Sequence, residues 1–238
     1  SLMRSQDELA FSWRKLRIHR RSLSLMSKVG IPAGIQGCLF SLANLAIQGA
    51  INAYGSVVVA GSSAAGSIDG FIYVSMNTFH QTAQTFLSQN IGAGKYDRVK
   101  DILKKCLLCT VVTGAILCTV ACVFSQPLLR IYNQDPAVVA AGTVRLYIAI
   151  APYIIFGLAD VLTGAIRGCG SPVRPVVINL LCTCVFRLLW IAAINTDTMP
   201  VTWVYASYPA SWLVLLIALT VCWLRLYRRK IRPHLTPD

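Results

Sequence analysis

Six apolar stretches follow one another along this chain of 238 residues, and each has about the length of a membrane-crossing helix. A transmembrane helix needs about 20 apolar residues to span the hydrocarbon core of a bilayer. Four stretches are clearly apolar, and two are diluted by polar or charged side chains. The clear ones are residues 29–53, 106–124, 146–166 and 201–224, and the diluted ones are residues 71–91 and 173–194. Because alternating β-barrel patterning is absent, the sequence predicts an all-α membrane protein with six transmembrane helices.

Composition and motifs exclude a water-soluble enzyme. Only 13% of the residues are charged, against about 25% in a typical soluble protein, and the mean hydropathy is +0.61. The pair Gly94-Lys95 is followed by Tyr96 in place of Ser or Thr, so no phosphate-binding P-loop is formed. Most of the nine cysteines fall in apolar stretches, where Cys packs as a small hydrophobic residue. We expect neither a catalytic site nor a bound metal or cofactor.

The 22 Lys and Arg residues divide unequally between the two ends of the predicted helices. The segment before the first helix holds seven, the second loop and the C-terminal tail hold five each, and the fourth loop holds two. The opposite connections hold only Arg130 and Arg145, and the first loop, at about residues 54–66, holds none. Cytoplasmic connections are enriched in Lys and Arg, so both termini are expected in the cytoplasm, at a plasma (inner) membrane. The net charge of +13 therefore reflects membrane topology, and nucleic acid is not an expected partner.

The same pattern divides the chain into three segments. Residues 1–28 are basic, and an apolar face at helical spacing makes them either a helix on the cytoplasmic membrane surface or a basic linker. Residues 29–228 are expected to form the six-helix lobe. Residues 229–238 are expected to form a cytoplasmic tail.

Polar side chains are concentrated on one face of each of the first two helices. At 100° per residue, those of the first helix share an arc of about 80°, and those of the second about one third of the circumference. Polar groups that face lipid are costly, so both faces point to protein or water. Hydrogen bonds between helices and a hydrated cavity both explain the pattern, and we favour the cavity. Its expected lining is Asn44, Gln48, Asn52, Asn77, Gln81 and Gln84.

Two carboxylates within or near the membrane are candidates for binding a coupling cation or proton. Asp160 lies within the fourth helix, where the alternative role is an ion pair with Arg187 or Arg167. Asp69 lies near the outer end of the second helix, where solvent or the helix dipole also favours a negative charge. We expect Arg187 to be structural and His80 to be a hydrogen-bonded bystander.

Several motifs resemble those of the multidrug and toxic compound extrusion (MATE) transporters. Residues 89–99, QNIGAGKYDRV, resemble the loop after that family's eighth helix, and residues 164–170, GAIRGCG, are similar to a motif at the end of its tenth. Residues 29–34, 48–52 and 68–69 also match, in the expected order. The chain is therefore identified as a member of this family over residues 28–230.

The resemblance to this family implies a fold and an activity that the spacing of residues alone does not. It implies a twelve-helix antiporter of two lobes that exports cationic or amphipathic compounds in exchange for Na⁺ or H⁺. This chain corresponds to the second lobe, so its expected partners are a missing N-terminal lobe, membrane lipid and a small organic cation. The sodium-coupled branch has an acidic residue near Phe156. Here Asp160, one turn further on, is the substitute candidate.

Other functions stay open from the sequence. A lipid-linked oligosaccharide flippase or polysaccharide exporter of the same superfamily would have a larger and more cationic cavity. A non-transporting membrane scaffold would move no substrate. We expect a bacterial multi-pass antiporter for drugs and other xenobiotics, of which this chain is a fragment.

Overall fold

The computed structural model describes residues 20–194 and 198–235, and nearly all of them are helical. Most of the predicted surface segment, including residues 1–19, lies outside the described residues. Its described part, from Arg20, is continuous with the first helix. Within the described ranges the α-helices are α1 (Arg20–Asn52), α2 (Ser56–Gly92), α3 (Arg98–Val123), α4 (Ser125–Tyr132), α5 (Pro136–Ile150), α6 (Tyr153–Gly168), α7 (Val173–Asn179), α8 (Phe186–Ala193) and α9 (Thr202–Leu226).

Three shorter segments continue these helices. A π-helical segment, Leu180–Val185, joins α7 to α8 without a break. Beyond α9 the chain continues as a π-helical segment, Tyr227–Ile231, and a 3₁₀ turn, Arg232–His234. The beginning of the predicted cytoplasmic tail is therefore helical.

These elements correspond to the six predicted spans. By length and composition, α2, α3, the segment Val173–Ala193 and the segment Thr202–His234 can each cross a membrane. Helices α5 and α6 together make a fifth span, bent by 45°. Helix α1, with 33 residues, occupies the position of the first predicted span. The all-α membrane class is confirmed, and the number of long elements agrees with the expected six-helix lobe.

The first loop is shorter than predicted. Residues 54–66 were expected to be a loop, but α2 begins at Ser56. Small side chains let this first part of α2 lie against α5, since a Cβ added at Gly61 would be only 2.7 Å from the carbonyl oxygen of Val138. Close backbone approach through small residues is how helices pack in membranes.

The fourth span is bent, because a proline lies within this apolar stretch. Helix α5 ends at Ile150 and α6 begins at Tyr153. Pro152 separates them because proline lacks the N–H that a continuing helix requires. Helix α5 also begins at Pro136, which places Arg145 within a helix instead of the predicted loop.

Helix α2 is central and packs against α3, α5 and α6. Its Met76, Ala83 and Leu87 are completely buried. The contact with α6 is close because a Cβ at Gly164 would collide with the carbonyl oxygen of His80, and one at Gly168 would lie 2.7 Å from that of Gln84. Both glycines belong to the GAIRGCG motif, which therefore has a packing role at the α2–α6 contact.

Substituting Gly164 by Ala is expected to destabilise the bundle by about 1–3 kcal/mol, because the added methyl group forces α6 away from α2. The matched control is Gly70→Ala on α2, where a Cβ meets nothing within 4 Å. Thermal unfolding of the purified proteins in detergent measures the difference. Equal stability of the two variants would contradict the close α2–α6 contact.

Successive connections between the helices lie at opposite ends of the bundle, as the distribution of Lys and Arg along the sequence predicted. At one end, Tyr96 of the α2–α3 connection stacks on His234, with ring centroids 4.2 Å apart. At the same end, Lys230 Nζ lies 3.5 Å from Ser171 Oγ, which follows α6. At the other end, the Tyr54 hydroxyl donates to a backbone carbonyl just before α9, at 2.8 Å. Which end faces the cytoplasm stays a prediction.

Candidate functional site

A cavity of about 360 Å³ opens between the helices of the lobe. Asn44 and Gln48 reach it from α1, Asp69 from α2, Arg145 from α5 and Arg187 from α8. Aromatic side chains make up much of the remaining lining. They are Phe40, Tyr73, Tyr153, Phe156, Tyr208 and Trp212. The cavity therefore combines a few polar groups with an extended aromatic surface, as small-molecule binding sites usually do.

Five of these aromatic residues form one connected cluster, in which Tyr208 also contacts Trp212. Tyr153 and Trp212 pack edge to face with ring centroids 5.1 Å apart, and Phe156 lies 5.2 Å from Tyr153 and 5.5 Å from Trp212. Tyr73 extends the cluster to α2, with its ring centroid 6.1 Å from that of Phe156. Aromatic faces attract organic cations through the ring quadrupole and also contact apolar groups. This wall is suited to planar or cationic amphipathic compounds.

Both signs of charge are present at the cavity. Asp69 has a buried Oδ1 with no hydrogen-bond partner among the described residues. Arg145 donates to the carbonyl oxygen of Ser62. Arg145 and Arg187 both line the cavity and add positive charge beside Asp69, whose carboxylate is the one acidic group in this lining.

Arg187 is held by the protein itself, as expected for a structural residue. It is only 2% exposed, and its Nε donates to Ser211 Oγ at 2.9 Å. Its guanidinium group also lies 4.4 Å from the centroid of the Tyr208 ring. A buried cation that is hydrogen-bonded and stacked in this way fixes α8 against α9.

A second cavity, of about 290 Å³, adjoins the first. The two share Phe40, Tyr73 and Phe156 in their linings. Of the two carboxylates predicted for ion coupling, Asp160 lines the second cavity, whereas Asp69 lines the first. Its polar lining is Asp160, Arg167, Asn179 and Thr183.

Asp160 is paired with His80 across the α2–α6 contact. His80 Nδ1 lies 2.9 Å from Asp160 Oδ1 and 2.9 Å from the carbonyl oxygen of the same residue. A carbonyl oxygen only accepts hydrogen bonds, so Nδ1 carries the proton and donates. His80 is therefore more than the bystander expected from the sequence, because it orients a carboxylate in the membrane.

Two residues of the second cavity have side-chain oxygen atoms that accept no hydrogen bond from the described residues. Asp160 Oδ2 and Thr183 Oγ1 are both buried and have no hydrogen-bond partner among the described residues. Asn179 Nδ2 donates to Thr163 Oγ1 and to the carbonyl oxygen of Pro175, at 3.3 and 2.8 Å, so its amide nitrogen is occupied. Carboxylate, hydroxyl and amide oxygens are the atoms that a hard cation prefers. No group of three or more His, Cys, Asp or Glu side chains able to hold a metal ion occurs in the described part of the chain.

The predicted cavity residues separate into two groups. Asn44 and Gln48 line the first cavity, and Gln48 Nε2 donates to Oδ1 of the exposed Asn52 at 3.1 Å. Asn77, Gln81 and Gln84 lie further along α2, outside the linings of these two cavities. Of these, Asn77 and Gln84 are half-buried and Gln81 is exposed. Their role in substrate binding stays a prediction.

The aromatic wall and the partner of Asp160 were not predicted from the sequence. Tyr153, Phe156 and Trp212 sit in apolar stretches, where aromatic residues look like ordinary core. His80 was visible on the polar face of α2, and Gly164 in the motif signalled close helix packing. Only the three-dimensional contact joins His80 to Asp160.

Replacing Gln48 by Ala is expected to change the concentration dependence of transport for individual substrates by roughly three- to tenfold, the value of one hydrogen bond. Gln89→Ala removes the same amide from an exposed position outside the two cavities and is expected to leave the profile unchanged. Drug-resistance profiles of cells that express each variant measure this. Equal effects of the two substitutions would contradict the assignment of the first cavity as the substrate-binding site.

The fold and the cavity define a class of multi-pass membrane protein in which a helical lobe carries a polar, aromatic-walled recess. The family model described as MatE matches residues 32–191. The chain therefore belongs to the MatE family, whose members are transporters and not enzymes. The resemblance read from the sequence motifs is confirmed.

Individual relatives agree with this membership. The chain is 24% identical over 205 residues to a probable multidrug resistance protein, YoeA, of Bacillus subtilis, covering 86% of this chain and 44% of that protein. It is 29% identical over 164 residues to YpnP, another probable multidrug resistance protein of that organism, covering 69% and 37%. The chain thus spans less than half the length of these relatives.

A solved structure shares the fold. The bent form of the MATE transporter VcmN of Vibrio cholerae matches with a TM-score of 0.78 at 16% identity. The match covers 92% of this chain and 50% of that one. The six-helix lobe is therefore one half of a MATE-type architecture.

Proposed function

We propose that this chain is the second lobe of a multidrug efflux antiporter, which exports cationic or amphipathic compounds in exchange for Na⁺ or H⁺. A first lobe of similar size completes the transporter and closes the substrate cavity. Both termini of this lobe lie on the cytoplasmic side of a bacterial inner membrane. The relatives with multidrug names support the substrate class, and the charge asymmetry supports the orientation.

The observation that carries the proposal is the recess itself. An aromatic wall formed by Tyr153, Phe156 and Trp212 stands beside Asp69, whose Oδ1 has no partner among the described residues. An amphipathic organic cation suits both features, because its ring systems contact the aromatic faces and its charged group interacts with the unpartnered carboxylate oxygen. Asn44 and Gln48 supply hydrogen bonds that orient it.

The neighbouring cavity supports ion coupling. Asp160 can release or bind a proton, or share its free oxygen with a cation, while His80 holds its other oxygen. Such binding shifts the equilibrium between inward-facing and outward-facing states only if the ion has different affinities for the two. The shared lining residues Tyr73 and Phe156 give the ion and the substrate a common wall through which each affects the other.

A transport assay tests the proposal. The complete transporter containing this chain is reconstituted into proteoliposomes, and accumulation of a fluorescent organic cation is followed under an imposed Na⁺ or H⁺ gradient. We expect uptake that requires one of the two gradients and collapses with it. No gradient-dependent movement of any substrate would support the non-transporting scaffold instead.

A second candidate function has one observation in its favour. Arg145 and Arg187 outnumber Asp69 at the first cavity, which suits an anionic substrate such as the pyrophosphate of a lipid-linked oligosaccharide. In the same vesicles, an anionic substrate would be moved and the organic cation would not. The engagement of Arg187 with Ser211 and Tyr208 favours the first function, since part of its guanidinium group is already occupied by contacts within the protein.

A further inference from the structure

A groove of about 760 Å³ lies between α7 and α9, away from both cavities. It is at the end of the bundle where the chain continues beyond α9 into its basic C-terminal segment. Three of its lining residues are exposed arginines, Arg174, Arg225 and Arg229. The groove is therefore strongly basic.

The rest of the groove is apolar. Val177 is exposed along it, and Ala218 and Cys222 are half-buried between the two helices. Among the described residues, no carboxylate forms an ion pair with any of these three arginines. A ligand that fits must carry negative charge next to a hydrocarbon portion.

We propose that this groove binds one anionic phospholipid of the adjacent leaflet. The phosphate contacts the three guanidinium groups, and an acyl chain lies along the apolar residues between α7 and α9. Arginine binds phosphate through paired hydrogen bonds, and basic pockets between transmembrane helices bind anionic headgroups. Free phosphate would leave the apolar part of the groove unused, and the ammonium group of a zwitterionic lipid would be repelled by the arginines.

The test measures lipid binding and does not depend on transport. A fluorescent phosphatidylglycerol and a matched phosphatidylcholine are titrated into the purified protein in neutral detergent. Replacing Arg174, Arg225 and Arg229 together by Gln is expected to weaken phosphatidylglycerol binding at least tenfold and to leave phosphatidylcholine binding unchanged. The matched control replaces the exposed Arg98, Lys100 and Lys104 of α3 by Gln, the same change in charge at the same end.

A second variant tests the apolar part of the groove. Val177→Trp fills the groove and keeps all its charges, and it is expected to weaken phosphatidylglycerol binding roughly fivefold by displacing the acyl chain. Millimolar inorganic phosphate is expected not to compete.

Four outcomes would overturn the proposal. They are equal loss of binding in the α3 control, no effect of Val177→Trp, displacement of the lipid by phosphate, and no preference for phosphatidylglycerol in the unsubstituted protein. The last would mean that the groove does not select an anionic headgroup.

Discussion

Replacing Asp160 by Asn is expected to reduce gradient-driven efflux at least tenfold while substrate binding without a gradient changes little. Asparagine is similar in shape but can neither take up a proton nor compensate a cation, so the second cavity loses its response to the coupling ion. Coupling between two sites is typically worth about 1–3 kcal/mol, which corresponds to roughly 5- to 150-fold in affinity. Proteoliposome uptake with and without a Na⁺ or H⁺ gradient measures the effect.

Two comparisons separate a coupling role from a structural one. Asp101→Asn removes an exposed carboxylate from the first turn of α3 and is expected to leave coupled transport intact. His80→Ala keeps the Asp160 carboxylate but removes its partner, so we expect residual coupling with a changed dependence on pH or Na⁺. Full gradient-driven transport in Asp160→Asn protein would eliminate Asp160 as the coupling residue.

Replacing Asp69 by Asn is expected to raise the KM for an organic cation roughly tenfold and to leave that for a neutral analogue unchanged. The reason is that Asp69 is the one carboxylate of the first cavity, and its Oδ1 has no hydrogen-bond partner among the described residues. Interactions with a charged partner are worth about 1.5–3 kcal/mol, which is about ten- to a hundredfold in affinity. Initial transport rates for a matched cationic and neutral pair measure this.

The same substitution distinguishes the two candidate substrate classes. If the transported compound is anionic, removing the negative charge beside Arg145 and Arg187 should speed its transport instead. Asp160→Asn serves as the matched control, because it is expected to change the ion dependence and not the preference for substrate charge. An equal loss for the cationic and the neutral analogue in Asp69→Asn protein would indicate misfolding or a general structural role.

Part of the candidate site was predictable from one helix at a time. The polar face of α1 predicted Asn44 and Gln48 on a common surface, and both line the first cavity. Asp69 and Asp160 were also recognised individually, because ionised groups within apolar helices are rare. Their separation into two cavities was not predictable, since it depends on where α6 lies against α2.

Other parts needed the tertiary structure. Arg145 was assigned to a loop because the apolar stretch begins after it, yet α5 extends to Pro136 and carries Arg145 to the cavity. The aromatic wall joins Tyr153 of α6 to Trp212 of α9, which lie far apart in the sequence. No pattern within a single stretch encodes such a pair.

The sequence alone determined the membrane class, the number of long helices, the ends at which their connections meet, and the family. These follow from the length of each apolar stretch, from the distribution of charge between stretches and from local motifs, all of which are properties of contiguous residues. The tertiary structure alone decided that His80 meets Asp160 and that Tyr153 meets Trp212 in the aromatic wall. Both features arise from contacts between helices that are distant in the sequence, and the first depends on the absence of a side chain at Gly164.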